Sequence, residues 1–419
     1  MDGKNTVHAP YNFISFAESP WLPYQSMDDL PPHDRIDPQR RTGELHITLT
    51  AETPVFVAGE KGRSPGDASR FFRTPDGALA IPGSTIRGLT RENMQILSFA
   101  PVRVGEDIAE NEDSGRKGYK FPIADGLPPK YKELVDAGPL DCPSAILGFS
   151  RGRLAYRSRV SFGDFAAEAG AREGAPVRMI LGEPKPGYYP GYLRPAQLQS
   201  GVKHYNDDDF RLRGFKQYWL KDTQKTDVPP GKEKVGTALC PLPAGTRFHG
   251  VVRFKNLSDA ELGLLVWSLC LDEGCYQNVG MGKPYGYGRM SVRVERMVEF
   301  APDDLYGGSL CPAPSQKVDE ELKKAVQNCI SAYEREAMAA LGGTQERPLR
   351  EVPAIRDFFY MKSAIQKGGA FSYMGFKGYN NAKQPLPTVE EIGGLTDMDD
   401  ALKALMLKHG RQQQQRRKR

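Results

Sequence analysis

Hydrophobic and polar positions alternate along Glu44–Thr50 (ELHITLT), with Leu45, Ile47 and Leu49 on one side and Glu44, His46 and Thr48 on the other. A period of two predicts a half-buried strand. Thr246–Lys255 (TRFHGVVRFK) repeats the pattern, setting Phe248, Gly250, Val252 and Phe254 against Arg247, His249, Val251, Arg253 and Lys255. RMSVRVERM, beginning at Arg289, predicts another alternating strand, and Arg157–Phe165 and Pro176–Gly182 are also strand-like. Between them the period changes. In IPGSTIRGLTRENMQILSFA, residues Ile86, Leu89, Met94 and Leu97 keep one helical face, with Ser84 expected as its cap. Ser258-Asp259-Ala260-Glu261 is a capping box, in which the serine reaches forward and the glutamate back to satisfy free amides. It predicts a second helix, striped by Leu262, Leu265, Val266 and Leu269 and ending near Gly274.

The order is strand, helix, strands, then strand, helix, strand. That predicts an α+β chain with a split β-α-β core, an antiparallel sheet and two helices on one face. Two polar, Pro- and Gly-rich excursions interrupt it, at 101–143 and 183–236. A Pro-, Asp- and Arg-rich arm over 1–43 precedes the core at 44–300, with Tyr11-Asn12-Phe13-Ile14 as the arm's one apolar piece. Residues 301–419 read as a helical and irregular extension ending in the basic tail GRQQQQRRKR.

Composition narrows the chemistry. The 419 residues are 39% hydrophobic, enough for a core but with room for long polar loops. Lys plus Arg number 57 against 52 Asp plus Glu, so the net charge of +5 does not by itself mark a nucleic-acid binder. Placement matters more. The six cysteines form no CxxC pair and the six histidines no HExxH or HxxxH pair, which predicts no zinc site. Scattered cysteines, no N-terminal apolar segment and no apolar run of about 18–20 residues predict a soluble cytoplasmic protein.

If the apolar strand faces pack on the helices, the opposite sheet face displays Arg247, His249, Arg253 and Lys255. Arg157 and Arg159, then Arg289 and Arg293, extend it on strands placed alongside. Cations at period two across several strands attract phosphates, although any exposed sheet face is charged for solubility. Phe248 and Phe254 fall on the core side, so such a surface grips backbone more than bases. The loop GMGKPYGYGR (280–289) is the other candidate. It runs from a helix into a strand, the reverse of what a Walker or Rossmann phosphate loop needs. Two readings stay open for it. Its glycines, Gly280, Gly282, Gly286 and Gly288, permit a tight turn into the last strand. Alternatively, the loop lies flat on a phosphodiester chain, with Lys283 and Arg289 on phosphates and Tyr285 or Tyr287 stacked on a base or sugar. Gly83 and Ser84 would offer free amides to a phosphate at a helix start, with Arg87 and Arg91 one turn apart beside them; a solvated helix face is the plainer alternative.

These segments line up with a known family. IPGSTIRGLTREN resembles the segment opening the first helix of the repeat-associated mysterious proteins (RAMPs) of CRISPR systems, and GMGKPYGYGRM resembles their glycine-rich loop before the final strand. LGFSRGRLAYRSRVSFGDF is similar to their "FG … GRVxFxD" stretch, and PYNFISF, RLRGFKQYW and QPLPTVEEI resemble features of a branch tied to type III loci. The matches run in order from about residue 10 to 390. The resemblance implies a ferredoxin-like (RRM-like) core and a backbone subunit whose copies stack along a CRISPR RNA with other effector subunits, presenting the guide to complementary target RNA in antiviral defence. It implies RNA contacts from the sheet, the first-helix start and the glycine loop, and a protruding thumb hairpin. The insertion at 183–236, with Tyr188, Tyr189 and Tyr192, is the thumb candidate.

In type III backbone subunits an acidic residue after the first strand is associated with metal-dependent cutting of target RNA. Here that loop is AGEKGRSPGDASRFF, with Asp67 as first candidate and Glu60 as second. A carboxylate there would hold Mg or Mn against the scissile phosphate or orient the attacking 2′-hydroxyl, whereas RNA binding alone needs no cofactor. A solvated loop aspartate is the plainer reading, and related effectors leave cutting to a separate nuclease. A repeat-RNA processing endonuclease is a further alternative, wanting a histidine base such as His46, His204 or His249.

Overall fold

A computed structural model describes residues 8–17, 19–60, 67–102, 108–109, 120–121, 126–128, 139–151, 153–181, 189–194, 210–226, 228, 231, 236–302, 304, 314–341, 348–363, 371 and 386–393. In chain order, the strands of the main sheet and of the N-terminal ribbon are β1 (Tyr11–Ser15), β2 (Arg41–Ala51), β3 (Ala80–Ile81), β4 (Val160–Phe162), β5 (Phe165–Ala167), β6 (Gly214–Tyr218), β7 (Arg247–Leu257), β8 (Gln277–Asn278), β9 (Arg289–Glu299) and β10 (Ser315–Lys317). The helices that frame them are α1 (Gly83–Leu97), α2 (Cys142–Leu147), α3 (Asp259–Cys270), α4 (Asp319–Ala340) and α5 (Pro353–Lys362).

The three alternating segments become the three long strands, β2, β7 and β9, each of 11 residues. They form the centre of an eight-stranded sheet in the order β8-β9-β2-β7-β5-β3, with β4 also on β7 and β10 on β9. Every recorded pairing in it is antiparallel. The last long strand, the first, the second and the short pair β4/β5 therefore stand side by side, with α1 following the first long strand in the chain and α3 the second. The strand expected over 157–165 breaks in two at Gly163-Asp164, and the one over 176–182 lies off this sheet, where Val177–Met179 pairs with Thr237–Leu239.

One face of the sheet is the core. Leu45, Ile47 and Leu49 of β2 and Phe248, Val252 and Phe254 of β7 are at most 2% exposed and meet α1 and α3. The helix α3 is buried nearly all round, because α4 lies along its outer side. That crossing depends on Gly263: a Cβ there would stand 2.0 Å from the Cys329 carbonyl oxygen. Burial of Leu262, Leu264, Leu265 and Leu269 contributes roughly 6–12 kcal/mol as an upper bound, so α3 is the keystone helix.

The apolar piece of the N-terminal arm is also structural. β1 pairs antiparallel with β6 as a separate two-stranded ribbon. Its inner side carries Asn12, Ile14 and Gln217, all at most 4% exposed, and Gln217 donates to Glu92 of α1 at 2.8 Å. Gly214 is required for the pairing, since a Cβ at its φ of +154° would stand 1.8 Å from the Ile14 carbonyl oxygen. Residues 210–226, within the predicted thumb insertion, thus lie against the body, while Tyr188 and residues 195–209 fall outside the described residues. So do most of 101–143 and the basic tail. Among the described residues no helix is long and apolar enough to cross a membrane.

Candidate nucleic-acid interface

The open face of the sheet is built by the alternation itself. With Leu45, Ile47 and Leu49 committed inward, β2 presents Glu44, His46 and Thr50 on the open face, where Thr48 is buried in contact with His249. The β2–β7 register sets Arg253 opposite Glu44 and His249 opposite Thr48, and the β2–β9 register sets Arg293 opposite Thr48. Arg247, Arg253 and Arg293 are 48%, 61% and 73% exposed. A fourth cation arrives through an irregularity: the β2–β9 register shifts between Val294 and Arg296, which brings Arg296 opposite His46. Strict alternation would have turned it inward, so the sequence period could not find it; a bulge announces itself only through the partner strand.

Carboxylates sit among these cations. Glu44 accepts from Arg253 Nε at 2.8 Å and lies 3.3 Å from His46. Glu168 lies 2.8 Å from His249 Nε2 and 3.3 Å from Arg247, and Arg293 is 3.4 Å from Glu295. Partial burial, with the Arg296 guanidinium next to it, holds His46 below the usual histidine range; Glu44 opposes the shift. His249 also contacts Thr48 Oγ1 at 3.0 Å through Nδ1, so both histidines are tied into the surface lattice. Lys255 is turned to the N-terminal arm, donating to the His33 carbonyl at 2.8 Å.

The structure separates the two arginines before β4. Arg157 is exposed. Arg159 is 4% exposed and belongs to the interior. Its guanidinium pairs with Glu261 and donates to the Ala145 and Asn256 carbonyls at 3.0 and 2.7 Å. Arg159 is thus a correction to the surface expectation: equal parity with Arg157 put both on one face, but the chain reaches its strand only at Val160.

At the first-helix start, Ser84 is exposed but is not the cap. Pro82 occupies that position, and the Gly83 amide donates to the Asp164 carboxylate at 2.8 Å. One of the free amides expected to meet a phosphate is therefore already paired within the chain. Gly83 is needed for close approach, since a Cβ would meet the Phe162 carbonyl at 2.3 Å. Arg87 and Arg91 do lie together. They donate to the Leu147 and Gly148 carbonyls at the end of α2, at 2.6 and 3.2 Å, and line a cleft of about 490 Å³ with Ser144, Tyr156 and Ser158.

In the glycine loop, Gly280, Gly286 and Gly288 have φ near +80°, and Cβ atoms there would meet carbonyl oxygens of Phe56, Asp222 and Val279 at 2.1, 2.4 and 1.9 Å. Gly282, also left-handed, approaches the Tyr287 side chain. What these glycines approach is the chain itself. Tyr287 is 6% exposed in the core, and Tyr285 donates to the Ile180 carbonyl at 2.9 Å. Lys283 has its pKa lowered by burial against the pull of Glu92, and Arg289 lies 3.3 Å from Asp222.

Glu60 borders a separate cleft of about 700 Å³ beside Arg70, Arg73 and Glu173, and Asp67 is exposed. The residues between them, 61–66, lie outside the described residues. Among the described residues no three His, Cys, Asp or Glu side chains gather as a metal site, so those present do not build a divalent-ion cage around Asp67 or Glu60. His204 also lies outside the described residues.

No protein-family model and no curated protein matches the chain. Among solved structures, a chain titled "Type IV-B CRISPR Complex" matches at 14% identity and a TM-score of 0.32, over 60% of this chain and 89% of that one.

Proposed function

We propose that the chain is an RNA-binding backbone subunit of a class 1, type III-like CRISPR effector, gripping a guide RNA by its phosphates, alongside further copies of itself and other effector subunits. The observation that carries this reading is the open sheet face, where Arg247, Arg253 and Arg293 stand exposed on strands β7 and β9, with β2 between. At about 4.8 Å between strands and 3.4 Å per residue along them, the register spreads these cations roughly 12–20 Å apart, which suits an extended polyanion better than one small anion. The ordered RAMP-like segments supply the expectation of a CRISPR RNA.

The test is RNA binding by the purified chain as a function of salt. Arg253→Ala combined with Arg293→Ala should weaken binding and lower the slope of log affinity against log salt by about 2, one for each phosphate that is no longer neutralised. A double variant with unchanged affinity and slope removes the sheet face from the interface.

A further inference from the structure

A second cationic surface lies on the ribbon β1–β6, away from the open sheet face. The register sets Tyr11 opposite Tyr218 and Phe13 opposite Lys216, so these four share the side turned away from Asn12, Ile14 and Gln217. The Lys216 ammonium lies 3.8 Å from the Tyr11 ring centre and 5.7 Å from those of Tyr192 and Tyr218. It also donates to the Tyr192 hydroxyl at 3.4 Å. Tyr11 and Tyr218 meet edge to face at 6.2 Å, and Tyr11, Tyr192, Lys216 and Tyr218 are all half-buried. The Lys283 ammonium of the glycine loop lies 5.9 Å from the Tyr218 ring centre.

Among the described residues no carboxylate pairs with Lys216; its neighbours are ring faces and a phenol. Burial alone lowers its pKa to about 8, so it is still largely charged at neutral pH. This contrasts with the open sheet face, where Arg247, Arg253 and Arg293 each have an acidic neighbour. An uncompensated ammonium among tyrosine rings calls for a ligand with both a negative charge and a flat π surface, repeated along a chain. An acidic peptide offers the charge without the rings. A nucleotide unit offers both.

We propose that the β1–β6 ribbon is a single-stranded RNA site, with bases stacked on Tyr11 and Tyr218 and phosphates held by Lys216 and Lys283. The proposal rests on the RNA-binding role above and extends it to a part of the chain outside the sheet.

The experiment uses the full chain and a labelled single-stranded RNA carrying 4-thiouridine. Photocrosslinks mapped by mass spectrometry should fall within 11–15 or 214–218. Tyr218→Leu, and Lys216→Met, which keeps the aliphatic packing between the rings, should each weaken binding about five- to tenfold. The ribbon crosslinks should persist in the Arg253→Ala, Arg293→Ala double variant. Crosslinks confined to the sheet face in the wild-type chain would overturn this site and leave the proposed function standing, and no RNA binding at all would overturn both. Displacement of the RNA by poly-glutamate at charge concentrations where poly-uridylate fails would overturn the stacking role.

Discussion

Glu261 is the residue on which most of the interior polar chemistry converges. It is the last member of the capping box, accepting from the Ser258 amide at 2.8 Å. It also accepts from Arg159, from the Tyr24 hydroxyl, and from Arg40 at 3.1 Å. Burial would raise its pKa, but Arg159 outweighs burial and holds the carboxyl below the ordinary glutamate range. A depressed folded pKa stabilises the fold above the ordinary value of about 4.3, and that stability is lost as pH falls through the folded value. Glu261→Gln should cost about 3–5 kcal/mol at neutral pH, because Arg159 is left buried without its counter-charge. Urea unfolding of the variant should also show a shallower loss of stability on acidification than the wild-type chain. Equal acid sensitivity in the two would show that another carboxylate sets the acid limb.

At the scale of elements, α1 is a helix whose start is capped from a distance. Its first amide is satisfied by Asp164, 81 residues away, and not by the serine beside it. Asp164→Ala should therefore destabilise the chain by about 1 kcal/mol, while Ser84→Ala changes the thermal midpoint little. The reverse order of effects would restore Ser84 as the cap. This contrast marks what the sequence can convey. The Ser258/Glu261 box, both partners within four residues, is legible in the sequence and present in the fold. The alternation of β2, β7 and β9 is legible because each strand has one wet and one dry face. The Asp164 cap, the buried Arg159 and the outward turn of Arg296 depend on partners far along the chain, and no local period records them. For the glycine loop, density foretells close approach, but only the fold shows that Phe56, Val279 and Asp222 are what is approached.

For the whole molecule, the charge on the open face matters through its balance. Glu168 sits against both Arg247 and His249, so part of the positive potential is cancelled within the chain. Glu168→Gln should strengthen binding to single-stranded RNA several-fold at low salt, with the gain fading as salt rises. An unchanged affinity would place the RNA away from Arg247.

The strand order has a consequence for how the chain is made. β2 is central, yet its partners come late: His249 meets Thr48 across 201 residues, and Arg296 meets His46 across 250. At about 5–20 residues per second, β2 waits roughly 10–50 s after leaving the ribosome with both hydrogen-bonding edges bare. During that wait the outward Glu44 and His46 and the polar Thr48 and Thr50 are its guard against pairing with another nascent chain. The residues that face outward in the finished protein thus also protect it before its sheet exists.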